Sequence, residues 1–163
     1  MGGHGERVEE IKRAARALTP AVADLAEQLC LIPAPGYQEE ARARFVASQL
    51  ESRGLSVEID DIFNVYTRIQ GSGNGKALMV SAHTDTVFPA GTPITVERSN
   101  GRLTGPAIGD NSAGVACLIG MVDLLRNLNL QPVGDIVLVA NVGEEGLGNL
   151  RGIRAAVDRF ASE

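Results

Sequence analysis

Ile136-Val137-Leu138-Val139-Ala140 is an unbroken apolar run, and just past its end near Asn141 come Gly143-Glu144-Glu145. A run this short and this rich in branched residues reads as a strand covered on both faces. Ala77-Leu78-Met79-Val80-Ser81 is a second such run, consistent with a buried central strand, and leads into His83-Thr84-Asp85. Helical patterns surround these two strands. Val8, Ile11, Ala15 and Leu18 share one side of a first helix. Thr19-Pro20 reads as an N-cap followed by proline at a first helical position, opening a second helix to about Leu31. Pro33-Ala34-Pro35-Gly36 is a break. Gln38-Glu39-Glu40 then opens a third helix with acids in its first turn, and Gly54 ends it. Leu55, Val57 and Ile59 alternate with polar residues as a half-exposed strand does, and Val65 to Ile69 follows as another. Ser99-Asn100-Gly101 marks a hairpin between Ile94–Glu97 and Arg102-Leu103. From Asn111 to Asn129 the period is helical, with Val115, Leu118, Ile119, Val122 and Leu125 in one stripe, and Leu150 to Phe160 closes as an amphipathic helix. The pattern predicts a three-layer α/β/α sandwich with a mostly parallel central sheet and antiparallel edge strands.

The 163 residues suit one domain. With 44% apolar and 21% charged residues and a net charge of -5, the chain lacks the general basic surface of a nucleic-acid binder. Aromatics are 4% and tryptophan is absent, which excludes a base-stacking platform. No apolar run approaches the roughly 18 residues of a membrane span, so no membrane partner is expected. The polar start, Met1 to Arg7, does not resemble a secretory signal. Cys30 and Cys117 lie in apolar surroundings and read as two buried thiols of a reducing compartment, which makes the expected location cytoplasmic. Gly71-Ser-Gly-Asn-Gly75-Lys76 superficially suggests a phosphate loop. It precedes a strand instead of joining a strand to a helix, and Ala77 replaces the hydroxyl that would hold magnesium.

The polar residues collect where a ligand is expected. Open α/β sheets bind ligands outside the carboxyl ends of their strands. His83 and Asp85 follow one strand, Glu144 and Glu145 follow another, and Asp110 starts the long helix. Each has an ordinary reading: a core histidine, a turn residue, a helix N-cap, a solvated acidic pair. Together, one imidazole and several carboxylates suit a divalent metal such as zinc. Adjacent carboxylates at a strand end repel each other unless a cation lies between them. Gly143, Gly146 and Gly148 surround the pair, as a sharp turn beside a ligand requires.

Three stretches carry a family resemblance: Ser81-Ala-His83-Thr-Asp85-Thr-Val-Phe-Pro89, Gly105-Pro-Ala-Ile-Gly-Asp110-Asn-Ser-Ala-Gly114 and Gly143-Glu144-Glu145-Gly-Leu-Gly148. In this order they resemble motifs of the co-catalytic zinc peptidase and amidohydrolase family. That family includes carboxypeptidase G, aminoacylase, succinyl-diaminopimelate desuccinylase and tripeptide aminopeptidase. The resemblance runs from about Thr19 to Arg159. It implies two divalent metal ions, zinc foremost, with cobalt or manganese as alternatives. It also implies His83 as a terminal ligand of one ion, Asp110 as the bridging carboxylate with a cis bond to Asn111, and Glu145 as a terminal ligand of the other ion. Asp85 is implied as the partner that orients the imidazole, and Glu144 as the general base for the attacking water. The implied substrate is a small peptide or an N-acyl amino acid. No organic cofactor is implied.

Two departures matter. Ala107 stands where the family usually has glycine. Family members are also more than twice this long, so the resemblance implies that residues 1–163 are the N-terminal portion of a catalytic domain. The lid or dimerisation domain, one further acidic ligand and a second metal-binding histidine would lie elsewhere, and the full-length form would be a homodimer. His4 matches no family position. The piece alone is expected to be inactive. The alternative is a truncated, non-catalytic relative that serves as a binding module.

Overall fold

The computed structural model describes residues 3–73 and 75–161. The apolar run at 136–140 forms β6 (Ile136–Asn141), which is buried along its whole length. Its side chains divide between two cores, as the two-residue repeat of a strand dictates. Ile136, Leu138 and Ala140 face one core, and Val137 and Val139 face the other. β2 (Val65–Ile69) pairs antiparallel with β6, and β1 (Val57–Ile59) pairs antiparallel with β2. β3 (Leu78–His83) lies parallel to β6 on its other side. The sheet order is therefore β1-β2-β6-β3. The sheet is mixed, with an antiparallel edge as expected and its parallel part formed by β3 and β6. β4 (Glu97–Ser99) and β5 (Arg102–Thr104) make a separate hairpin.

Helices cover both faces. α1 (Gly3–Cys30), α2 (Glu40–Ser52) and α3 (Ala113–Asn127) close the larger core, where Leu29, Val46, Leu50, Val115 and Ile119 are buried against Val65 and Leu138. α4 (Arg151–Phe160) covers the other face, setting Ile153, Ala156 and Phe160 on Tyr66, Val137 and Val139. The three-layer expectation is met, with one thick and one thin helical layer. Gly54, at φ +65°, stops the chain after α2, which is the role read for it in the sequence.

Several expectations are corrected. β3 is an edge strand among the described residues, not a central one, and Leu78 is 58% exposed. An apolar run reports the side chains' preference for cover and not the number of neighbouring strands. α1 does not break at Thr19-Pro20 but runs through Pro20 as one helix. Pro20 and Arg16 are both exposed, so water can reach the carbonyl left without its partner, while Val22, Leu25, Ala26 and Leu29 pack on the far side. Cys30 is buried, but Cys117 is exposed on α3. The turn Ile108–Ser112 together with α3 gives 20 residues, Ile108–Asn127, long and apolar enough to cross a membrane. In the fold, Val115, Leu118, Ile119 and Val122 of that stretch are buried in the core. The side chain of His4 lies outside the described residues.

The glycine loop after β2 is a packing device. Ser72 N–H donates to the Pro132 carbonyl at 2.8 Å, and Gly71 N–H to Asp135 Oδ1 at 2.8 Å. A Cβ at Gly75 would lie 2.5 Å from Gly134 N, so backbone touches backbone there. Buried Arg42 ties the sheet edge to the helices. Its guanidinium donates to the Ile32 carbonyl at 2.6 and 3.1 Å and to the Thr84 carbonyl at 2.9 Å. Burial pulls its pKa down to about 10, which leaves it cationic at neutral pH.

An unbroken α1 makes Pro20 a mid-helix proline. Pro20→Ala is expected to raise stability by about 1–3 kcal/mol in urea denaturation. If a new helix began at Pro20, the same change would bring no gain, because proline suits the first helical position.

Candidate metal centre

Parallel pairing of β3 and β6 ends with His83 opposite Asn141. Both strands therefore release their chains at the same sheet edge. Thr84 continues the contact, its N–H donating to the Asn141 carbonyl at 2.7 Å and its Oγ1 at 3.1 Å. One chain then supplies Asp85, fully buried. The other turns at Gly143, φ +63°, and supplies Glu144 and Glu145. Asp85 joins the two chains. Its Oδ1 accepts the Glu144 N–H at 3.0 Å, and its Oδ2 accepts the Glu145 N–H at 2.8 Å.

The same carboxylate lies 3.6 Å from His83 Nδ1, and that nitrogen is 3.2 Å from the Asp85 carbonyl oxygen. Asp110 comes from the turn Ile108–Ser112, where it and Asn111 leave helical backbone angles. Asp110 is therefore not an N-cap of α3. Its peptide bond to Asn111 is cis, as the resemblance implies. Asp110 Oδ1 sits 2.9 Å from His83 Nε2, and Glu144 Oε2 sits 4.0 Å from the same nitrogen. Ligand atoms of His83, Glu144 and Glu145 all lie within 4.8 Å of one another. The structure thus brings together all five residues singled out in the sequence, three of them in one tight cluster with Asp110 against its imidazole.

Charge at the site is unbalanced. Burial works to lower the His83 pKa, but the hydrogen bond and charge of Asp85, joined by Glu144 and Asp110, outweigh it and push the imidazole up to about 9. Burial would raise Asp85, yet the His83 contact and the two backbone N–H groups hold it below the usual aspartate value. Glu145 is raised by its burial and by the neighbouring charges of Asp110 and Glu144. Four carboxyl groups face one imidazole, and a divalent cation would relieve that crowding. Imidazole nitrogen with carboxylate oxygen is a donor set that suits zinc, cobalt or manganese. The residues fit a metal.

Nearby residues escaped the sequence reading. Glu39 is completely buried and Arg151 Nη2 lies 2.6 Å from its Oε1, whereas Glu40 pairs with Arg44 at the surface. In the sequence Glu39 and Glu40 are two equal acids opening a helix. Only the neighbours supplied by other elements tell them apart.

Because Asp85 is ionised more readily in the folded chain than in the unfolded one, its contribution to stability is present above the ordinary aspartate pKa of about 3.9 and fades as pH falls through its lower folded value. Asp85→Asn is expected to cost about 2–3 kcal/mol at neutral pH. The gap to the parent should close in urea melts taken below about pH 4. A gap independent of pH would remove the carboxylate from this role.

The chain is similar to known peptidases. The profile of peptidase family M28 matches residues 64–159, more than half of the chain. Carboxypeptidase G2 from a Pseudomonas species is 29% identical over 117 residues, 64% of this chain and 27% of that protein. N-formyl-4-amino-5-aminomethyl-2-methylpyrimidine deformylase from Bacillus subtilis is 25% identical over 123 residues, 68% of this chain and 29% of that protein. Aminopeptidase PepT from Bacillus cereus shares the fold at a TM-score of 0.66 and 21% identity, over 77% of this chain and 36% of that one. The chain thus spans less than a third of the length of these two curated relatives. The matched segment runs from the end of the turn before β2 into α4 and so contains His83, Asp85, Asp110, Glu144 and Glu145, and on that match the chain belongs to peptidase family M28.

Proposed function

We propose that the complete polypeptide carrying residues 1–163 is a metal-dependent hydrolase of peptide or N-acyl amide bonds. The convergence of His83, Glu144 and Glu145 within 4.8 Å, with Asp110 2.9 Å from the imidazole, carries this reading. His83 and Glu145 would each hold one of two divalent ions, zinc foremost, and Asp110 would bridge them. When bound, the ions supply Lewis acidity to the scissile carbonyl and to the attacking water. Glu144 takes the proton from that water and delivers it to the leaving nitrogen as the C–N bond breaks. Its side chain is 43% exposed, so it is open to an incoming substrate. Asp85 positions the imidazole and both glutamate backbones and does not itself exchange a proton.

The names of the relatives, a carboxypeptidase and a deformylase, support amide-type bonds as the target. In this reading the substrate is a small peptide or an N-acyl amino acid, and the complete protein is a cytoplasmic homodimer. Residues 1–163 give each ion one terminal ligand and the bridge, whereas a catalytic zinc usually takes three protein ligands. The remaining ligands would come from outside this segment. Residues 1–163 alone would then bind metal weakly and turn over little. That same ligand count favours a second reading for a chain of this length alone, a non-catalytic binding module.

Glu144→Gln in the complete polypeptide is expected to lower kcat/KM by about 10²–10⁴-fold while metal content is unchanged. His83→Ala should lose metal as well as activity. A chelator should abolish hydrolysis, and zinc, cobalt or manganese should restore it. If the metal-supplied parent cleaves neither peptides nor N-acyl amino acids, the hydrolase reading fails.

A further inference from the structure

We infer that Arg151 and Glu39 are positioning residues that clamp the Glu144–Glu145 turn, a second restraint beside Asp85; this rests on the metal-hydrolase reading. The turn is a closed excursion of the chain. It leaves β6 at Val142 and returns at Gly152, whose N–H donates to the Val142 carbonyl at 3.0 Å. Gly148 packs so closely on Gly143 that a Cβ on it would meet the Gly143 carbonyl. Arg151 sits at the start of α4, and its side chain folds back over Gly143. A Cβ at Gly143 would collide with Arg151 Nη1 and lie 2.8 Å from its Cγ. The guanidinium thus occupies the side-chain space of the residue immediately before Glu144.

Its own position is held from elsewhere in the fold. Glu39, completely buried before α2, takes Arg151 Nη2 on Oε1 at 2.6 Å and the Tyr37 N–H on the same oxygen at 3.0 Å. The Tyr37 ring lies 4.3 Å from the Arg151 guanidinium carbon, and its hydroxyl donates to the Leu147 carbonyl at 3.2 Å. Tyr37 therefore touches both the clamp and the turn it holds. Arg151 Nη1 and Glu39 Oε2 are buried without a hydrogen bond to the described residues. A buried pair that leaves polar atoms unused adds little net stability. What it does add is a fixed distance between α2, α4 and Gly143. A group that orients a ligand-bearing backbone affects metal affinity without touching the metal.

The test uses the complete polypeptide and compares Arg151→Met, Glu39→Gln and a control, Arg53→Met. Arg53 makes a half-buried pair with Asp123 at 2.8 and 2.9 Å, at the other end of α2. The readouts are zinc affinity by chelator competition, the visible spectrum of the cobalt-loaded protein, and the thermal midpoint. Arg151→Met is expected to weaken zinc binding by about 10–100-fold and to change the cobalt spectrum. Glu39→Gln should show a smaller loss in the same direction, and Arg53→Met should lower the midpoint with affinity unchanged. Zinc affinity within about twofold of the parent in both clamp variants, or an equal loss in Arg53→Met, would overturn the inference. Should Arg151→Met not fold, the near-isosteric Glu39→Gln against Arg53→Met decides by the same criterion. A parent that binds no divalent metal would sink the hydrolase reading and the clamp together. A parent that binds metal, with unaffected clamp variants, would sink the clamp alone.

Discussion

Everything at the candidate site depends on β3 and β6 running side by side in the same direction. Antiparallel strands would release their chains at opposite edges of the sheet. Parallel ones release them together, and here the last pairing sets His83 against Asn141. The βαβ connection through α3 enforces that direction, because a parallel neighbour can be reached only by a crossover. The same crossover brings Asp110, in the turn just before α3, to the edge where the two strands end.

Asp85 turns that proximity into a defined geometry. A buried carboxylate is costly unless its lone pairs are used. Here they are used on the Glu144 and Glu145 N–H groups, with His83 alongside. The acid that would most readily be displaced by burial is therefore the one that locks two chain segments together. Glu144, Glu145 and Asp110 are left to crowd one imidazole, an arrangement that favours a cation. Arg42 and Arg151 bring permanent positive charge to the same end of the fold, but each spends it on a structural partner: carbonyls for Arg42 and Glu39 for Arg151. Neither cation substitutes for the missing charge among the carboxylates.

The elements differ in how well they could be read beforehand. β6 was legible because a strand buried on both faces leaves no polar position between Ile136 and Ala140. The α3 stripe was legible because Val115, Leu118, Ile119 and Val122 recur at the helical period. Pro20 misled because local punctuation argued for a break, while the packing of Val22, Leu25 and Leu29 on one side held a single helix together. Cys117 shares an apolar neighbourhood in sequence with Cys30, but the α3 rotation that buries Ala116 and Leu118 turns Cys117 outward.

By itself, the order of residues determined the α/β class, the two strands that end in polar clusters and the set His83, Asp85, Asp110, Glu144 and Glu145. These are properties of composition and period along one line, which a chain carries into any fold it adopts. Tertiary structure alone decided that Asp85 would hold the two glutamate backbones and that Glu39 rather than Glu40 would be buried against Arg151. Each of those outcomes is a contact between segments remote in sequence. Such a contact is set by how sheet and helices pack, not by the residues on either side of it in the chain.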